Sequence, residues 1–180
     1  MTNKSMNLQL SSVLETIFET EQEPNAIFKA LMPALGETLK CDRCFLLLLD
    51  PQRKIQKVTH CWRNNSRWPD LTGLIWAEEA ELCEKDPLMA IAYRTPEAVF
   101  VEDIETAGPQ IVNLTYEQEE FGHRALIHAP IYHAGRLFGI LEPCVFETPR
   151  VWTKNDRRLT ALVQKKLGPL AEAYVMRIGL

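Results

Sequence analysis

The feature that most constrains the fold is an unbroken apolar run at residues 44–49, with the letters CFLLLL. Successive side chains of a β-strand point to opposite faces, so this run is apolar on both faces. Such a strand is typical of the centre of a sheet that other layers cover on both sides. Asp50 and Pro51 follow and indicate a turn. We therefore expect a layered fold built around this strand.

The other apolar patterns predict helices at both ends of the chain and a hairpin on each side of an irregular middle. Helical spacing and capping residues predict helices at 8–20, at 24–39, at 86–94, near the end of 106–121, and after a cap at Asn155 or Asp156. Strands are predicted at 44–49, 55–62, 98–104, 124–131 and 136–146. Residues 63–84 show no clear period, and we expect a long loop there.

This order predicts an α+β fold, an α/β/α sandwich. One antiparallel sheet would carry the N- and C-terminal helices on one face and a layer of loops and short helices on the other. A pocket is expected between the sheet and that second layer. A chain of 180 residues fits one domain. We expect a flexible tail at 1–6 and a single domain at 7–180.

Charge and hydropathy exclude two classes of partner. The net charge of −4 gives no general attraction to nucleic acid, so we expect no nucleic-acid partner. The longest apolar run is far too short to cross a bilayer, and the polar start lacks the apolar core of a signal peptide. We expect no membrane span and a cytoplasmic protein.

The five cysteines are an odd number, which favours reduced thiols over a disulfide framework. Cys41 and Cys44 form a C-x-x-C pair, which raises the hypothesis of a metal or redox site. Metal sites of this kind usually need a second pair of ligands, and redox pairs usually begin a helix. This pair leads into a strand instead, so we expect no metal and interpret Cys44 as a core residue.

Five stretches in order resemble the GAF domains of photoreceptors. They are CDRCFLLLLDP, VFVEDIETA, FGHRALIHAPI, GRLFGIL and EPCVFETPRVWTKNDRRL. The resemblance spans residues 8–178 and is strongest toward cyanobacteriochromes, the bilin-binding GAF domains of cyanobacteria. It implies a GAF-like sheet between two helical layers and a sensory or regulatory role in a cyanobacterial or related lineage.

The resemblance also locates the position of chromophore attachment. In cyanobacteriochromes the tetrapyrrole is attached to a cysteine followed by histidine, eight residues before the phenylalanine that stands here as Phe121. Those positions hold Asn113 and Leu114, and an amide cannot form the thioether. Cys83, in ELCE, resembles the second cysteine motif of some members, while Glu142 replaces a histidine that bilin binders usually carry. We expect no cofactor, with a bilin as the alternative.

Seven residues are candidates for ligand binding in the expected pocket: His128, Asp103, His60, Trp62, Trp76, Cys83 and Asn113. Alternation along RALIHAPI places His128 opposite the small apolar side chains that suit the terminal helices; a hydrogen-bonded core histidine is the alternative. His60 and Trp62 share a face of their strand, where simple cover of the sheet is the alternative to ligand stacking. Asp103 either caps the next segment or meets a ligand.

The predicted function is a standalone regulatory or protein-interaction module without a covalent chromophore. The alternative is a sensor that binds a small molecule non-covalently, such as a linear tetrapyrrole. No spacing pairs an acid with a base, and Met89 stands near a cysteine position of GAF-type sulfoxide reductases, so we expect no enzyme and no catalytic residue. Apolar stripes on the terminal helices predict a homodimer, and with no output segment attached we expect a protein partner.

Overall fold

The computed structural model describes residues 11–76 and 79–180, with side chains for 11–75 and 81–180. The helices are α1 (Ser12–Thr20), α2 (Pro24–Leu39), α3 (Glu79–Lys85), α4 (Pro87–Ala92), α5 (Leu114–Glu120) and α6 (Lys154–Ile178). The strands are β1 (Arg43–Asp50), β2 (Ile55–Arg63), β3 (Ile75–Trp76), β4 (Val99–Val101), β5 (Ala125–His133) and β6 (Arg136–Val145). The tail predicted at 1–6 lies outside the described residues.

The strands form one antiparallel sheet in the order β3-β2-β1-β6-β5-β4. β1 lies between β2 and β6 and is buried at every position. Leu46 and Leu48 pack against one covering layer, and Phe45 and Leu47 pack against the other. The prediction of an α/β/α sandwich around this central strand is confirmed.

The helices α1, α2 and α6 cover one face of the sheet, which we call the helix face. Pro24 begins α2, as predicted, because the first turn of a helix needs no backbone donor there. The hydroxyl of Thr153 accepts from the backbone N–H of Asp156, and the carboxylate of Asp156 accepts from that of Thr153. The cap predicted at Asn155 or Asp156 is therefore wrong, and Asp156 is the partner of the true cap. None of the described helices combines the length and apolar character needed to cross a bilayer.

The short helices α3, α4 and α5 cover the other face, which we call the cluster face. The carboxylate of Asp86 accepts from the backbone N–H of Leu88 at 2.8 Å and caps α4, as predicted. The prediction of a loop throughout residues 63–84 is wrong, because β3 and α3 lie near its end. Among the described side chains of α3, only Leu82 is buried. No apolar stripe marked this helix in the sequence.

A bulge in β2 decides which way the end of that strand faces. His60 pairs with Leu46, but Val58 pairs with the next residue of β1, which leaves Thr59 as the extra residue. A bulge puts two residues opposite one and so changes the alternation of faces beyond it. Val58 accordingly packs on the cluster face, whereas His60 and Trp62 pack on the helix face.

Candidate functional site: a buried ionic cluster

Six ionisable side chains are buried between the sheet and the short helices. We call them the ionic cluster: Arg43, Asp86, Glu117, His123, His128 and Glu142. They come from β1, β5, β6, α5, the cap of α4 and the loop after α5. Removing a charge from water is costly unless the charge is paired. The partner of each side chain therefore determines which of these groups are charged in the folded protein.

The first pair joins the two central strands β5 and β6. Ala129 pairs with Leu141, so the preceding residue His128 stands opposite Glu142. Nδ1 of His128 donates to Oε2 of Glu142 at 2.8 Å. Burial alone would lower the pKa of His128, but the hydrogen bond and charge of Glu142 outweigh it and raise that pKa. Burial opposes ionisation of Glu142 as well, yet its pKa is lowered by the hydrogen bond and charge of His128.

The second pair lies beside the first. Nε2 of His123 donates to Oε2 of Glu117 at 2.7 Å, and Nδ1 of His123 lies 3.8 Å from Oε1 of Glu142. Burial opposes the charge on His123, but hydrogen bonds to Cys144 and Glu117 raise its pKa to about 10. Nη2 of Arg43 donates to the carbonyl of Phe121 and also lies 3.4 Å from Nδ1 of His123. A protonated imidazole offers no acceptor, so this second contact joins two like charges without a hydrogen bond. Three cationic side chains thus surround two carboxylates.

Asp86 completes the cluster from the cap of α4. Burial raises the pKa of Asp86 to about 7; the charge of His128 opposes this rise, and those of Glu117 and Glu142 add to it. Burial thus brings the pKa of this one carboxyl close to neutral pH.

Large side chains fill the space around the cluster. Phe45, Met89, Tyr116 and Phe121 line the interior together with His128, and the cavity that these described side chains enclose is about 10 Å³. That is the space that about one water molecule requires. Nε2 of His128 is buried and has no hydrogen-bond partner among the described residues.

The described residues contain no cluster of three or more His, Cys, Asp or Glu side chains that could hold a metal ion. All five cysteines are free, so the C-x-x-C pair is not a disulfide. Burial, followed by the charges of neighbouring Cys41 and Cys144, raises the pKa of Cys44 well above its usual value. Cys44 is a fully buried core residue, as predicted, and a raised thiol pKa makes it a poor nucleophile.

Of the seven candidate residues, only His128 joins the ionic cluster, on the face predicted for it. Asn113 lies nearby but has a structural role. Its side-chain oxygen accepts from the N–H of Tyr116 at 3.3 Å and caps α5. Its amide nitrogen also donates to the carbonyl of Lys85 at 2.9 Å, which ties α5 to α3. Cys83 is half-buried on α3.

The remaining candidates lie away from the cluster. Nε2 of His60 donates to Oδ1 of Asn25 in α2 at 3.0 Å, and Trp62 packs on the helix face, so the pocket position expected for both is wrong. The bulge at Thr59 is the reason. Asp103 accepts two hydrogen bonds from Arg124, at 2.7 and 3.0 Å, outside the cavity lining. The backbone of Trp76 is in β3, but its side chain lies outside the described part of the chain.

Sequence reasoning missed most of the cluster, because its members come from several separate elements. The position of His123 directly after Gly122 suggests a helix cap, whereas its ring pairs with the Glu117 carboxylate. One signal was available: Glu142 is a charged residue inside the otherwise uncharged strand LFGILEPCV. A charge in such a strand indicates a buried partner.

A sheet covered by long helices on one side and by a short-helix layer around a polar interior on the other defines a class of regulatory and sensory domains. The family model of the GAF domain matches residues 23–165. This chain therefore belongs to the GAF domain family. The sequence matches no curated protein at a significant level.

Solved structures of GAF domains share this fold at low sequence identity. A phycocyanobilin-bound GAF domain from a cyanobacterial phytochrome is 18% identical, with a TM-score of 0.74 over 97% of this chain and 99% of that one. The GAF domain of the cyanobacteriochrome TePixJ is 20% identical, with a TM-score of 0.66 over 88% and 95%. The GAF domain of an Acinetobacter phosphoenolpyruvate-protein phosphotransferase is 14% identical, with a TM-score of 0.68 over 99% of both chains. The neighbours thus include both bilin-bound domains and a domain of a phosphotransferase.

Proposed function

We propose that this GAF domain is a regulatory module that acts through protein contacts and holds no covalent chromophore. The observation that carries the proposal is the filled interior. Pockets for small organic ligands measure about 300–1,000 Å³, whereas the interior cavity here measures about 10 Å³. A linear tetrapyrrole needs Phe121, Tyr116 and Met89 to leave their positions.

The residue at the attachment position supports the same conclusion. Asn113 carries no thiol, and both ends of its amide are used: the oxygen caps α5, and the nitrogen ties α5 to Lys85 of α3. Cys83, the other candidate for attachment, lies on α3, and its side chain is not among those that line the cavity. The absence of a thiol at position 113, and of Cys83 from this lining, supports a domain without a covalent chromophore.

The experiment is the visible absorption spectrum of the protein made in cells with and without bilin synthesis, recorded before and after acid denaturation. We expect a colourless protein in both cases. Pigment that stays with the denatured chain would overturn the proposal, and Cys83→Ala would then show whether that thiol holds it. The positive control is a bilin-binding GAF domain made in the same cells, which must be coloured.

A second candidate function is a sensor that binds a small molecule without a covalent bond. It is favoured by one observation, the unpartnered Nε2 of buried His128 among the described residues. Isothermal titration with free biliverdin, comparing the native protein with His128→Gln, tests it. If biliverdin binds and His128→Gln weakens that binding, the sensor is supported. If the titration gives no heat of binding, the filled interior is supported.

We also propose that the domain forms a homodimer through its terminal helices. Val13 of α1 is 59% exposed, and Met176 and Ile178 of α6 are 49% and 63% exposed. Exposed apolar side chains on helices favour burial against a second copy. Sedimentation equilibrium of the native protein and of the double variant Met176→Glu, Ile178→Glu tests this. We expect a dimer that the variant dissociates; a monomeric native protein would contradict it.

A further inference from the structure

A second concave surface lies at the other edge of the sheet, away from the interior cavity. We call it the α6 groove. Its floor is formed by Ala98, Phe100, Pro130 and Tyr132, from the edge strand β4, the segment before it, and β5. The N-terminal half of α6 forms one wall, and the groove has a volume of about 460 Å³. It is open and mostly apolar, and the ionic cluster does not reach it.

The walls of the groove are held in place by hydrogen bonds. Nε2 of Gln164 donates to the carbonyl of Pro130 at 2.7 Å and to that of Pro96 at 3.2 Å. These two bonds tie α6 to β5 and to the segment before β4. The hydroxyl of Tyr132 donates to the carbonyl of Ala92 at 2.8 Å, which fixes the far end. A groove fixed in this way loses little conformational entropy when a partner binds.

The wall that α6 provides carries two cations, Arg157 and Lys165, which line the groove. Lys154 and Arg158 are exposed on the same side of the helix but are not part of the lining. The whole chain carries a net charge of −4, so this side is an exception to its general charge. Ala161 lies among these cations and keeps the wall low enough for a side chain to enter.

Two carboxylates lie near these cations and offset part of their positive charge. Glu97 lines the groove, and Oε1 of Glu102 lies 3.8 Å from Nη2 of Arg157, whose guanidinium covers the ring of Phe100 at 4.3 Å. Within the described part of the chain, Lys165 has no carboxylate within ion-pair distance. Lys165 is therefore the lining cation best placed to meet a partner's acid.

We propose that the α6 groove docks an acidic, extended peptide segment of a protein partner, with a proline or leucine side chain in the apolar floor. The inference rests on the proposed function and names the site and partner chemistry for it. Like charges would oppose a second copy docking by this same helix side. A single-stranded polynucleotide binds by stacking its bases on aromatic side chains. The guanidinium of Arg157 already covers the ring of Phe100, so the groove favours a peptide.

The test is fluorescence anisotropy with three labelled probes: a short peptide of alternating glutamate with leucine and proline, the same peptide with lysine for glutamate, and a short single-stranded DNA. We expect the acidic peptide to bind, with an affinity that falls as salt rises. The lysine peptide should not bind. Stronger binding of the DNA than of the acidic peptide, or no binding of the acidic peptide, would overturn the proposal.

Three variants locate the binding. Lys165→Glu reverses a lining charge and should weaken the acidic peptide by about tenfold. Lys166→Glu makes the same change one residue along, where the side chain lies over Phe18 of α1 and outside the groove, and should change affinity by less than about twofold. Ala161→Leu fills the groove without changing charge and should also weaken binding. Equal effects of the two lysine variants, or no effect of Ala161→Leu, would refute a groove-specific site.

Thermal melts of each variant confirm that the fold is intact, since all three side chains are on the outside of α6. The outcome is independent of the absorption experiment above. A coloured protein that still binds the acidic peptide would overturn only the chromophore-free interior. A colourless protein that ignores the peptide would overturn only the groove.

Discussion

The pKa of a buried histidine is shifted in opposite directions on the two faces of the sheet. On the helix face, His60 contacts neutral groups, the Asn25 amide and the Thr59 hydroxyl, at 3.0 and 2.9 Å. Burial, with the charge of Lys29, lowers the pKa of His60 to about 4. On the cluster face, His128 meets the Glu142 carboxylate, and its pKa is raised. Burial acts on both rings, and the charge of the partner decides the outcome.

The difference extends to the layers themselves. The helix face is closed by long helices, α2 with 16 residues and α6 with 25, over an apolar core. The cluster face is closed by helices of six or seven residues over paired charges. An apolar core stabilises through burial, whereas buried ion pairs roughly balance their own desolvation. We infer that the helix face supplies most of the stability of the domain.

The largest expected effect comes from leaving one side of the ionic cluster unpaired. Glu142→Ala removes the carboxylate that faces His128 and His123, so buried positive charge loses its partner. We expect a loss of about 3–5 kcal/mol in the free energy of unfolding, measured by urea denaturation. The double variant Glu142→Leu, His128→Leu removes both charges and should recover much of that loss. A loss below about 1 kcal/mol in the single variant would mean that water reaches the cluster.

Two neighbouring leucines of β1 compare the faces directly. Leu46 is fully buried on the helix face, and Leu47 is equally buried on the cluster face. Truncation of each to alanine should cost about 2–5 kcal/mol, and the cost depends on how far the site can collapse. Because the short helices can settle more easily than α2 and α6, we expect the larger loss for Leu46→Ala. Equal losses in urea denaturation would show that both layers are equally rigid.

The opposite pKa shifts predict opposite pH dependences. His60 is neutral in the folded state, so its contribution is complete above pH 6.5 and is lost as pH falls from 6.5 toward about 4. His128 has a raised pKa, so its contribution is present below pH 6.5 and is lost as pH rises through the folded-state value. Imidazole chemical shifts measured by NMR between about pH 4 and pH 6.5 should show His60 neutral and His128 charged. His60→Gln and His128→Gln assign the signals, and two rings that titrate together would contradict the comparison.

The fold was largely predictable from sequence, and the ionic cluster was not. β1 and β5 carry strong, continuous patterns, so the central strand and the face of His128 followed from alternation alone. The bulge at Thr59 leaves no mark in the sequence, because a bulge depends on pairing with the neighbouring strand. Arg43 and Glu117 are ordinary surface residues by type, and only the folded chain brings them together.

The smallest effect concerns the start of α5 at the edge of the cluster face. Asn113→Ala removes the cap of α5 and the bond to Lys85, and should cost about 1 kcal/mol. Asn113→Asp keeps the acceptor that caps α5 but loses the donor to Lys85. We expect a smaller loss of stability than in Asn113→Ala, and the difference between the two variants measures the contribution of the cap. Asn113→Cys places a thiol at the position where the resemblance to cyanobacteriochromes implies one, and it should destabilise like alanine because a thiol is a poor acceptor. If Asn113→Cys proved as stable as the native protein in thermal melts, the amide would have no structural role.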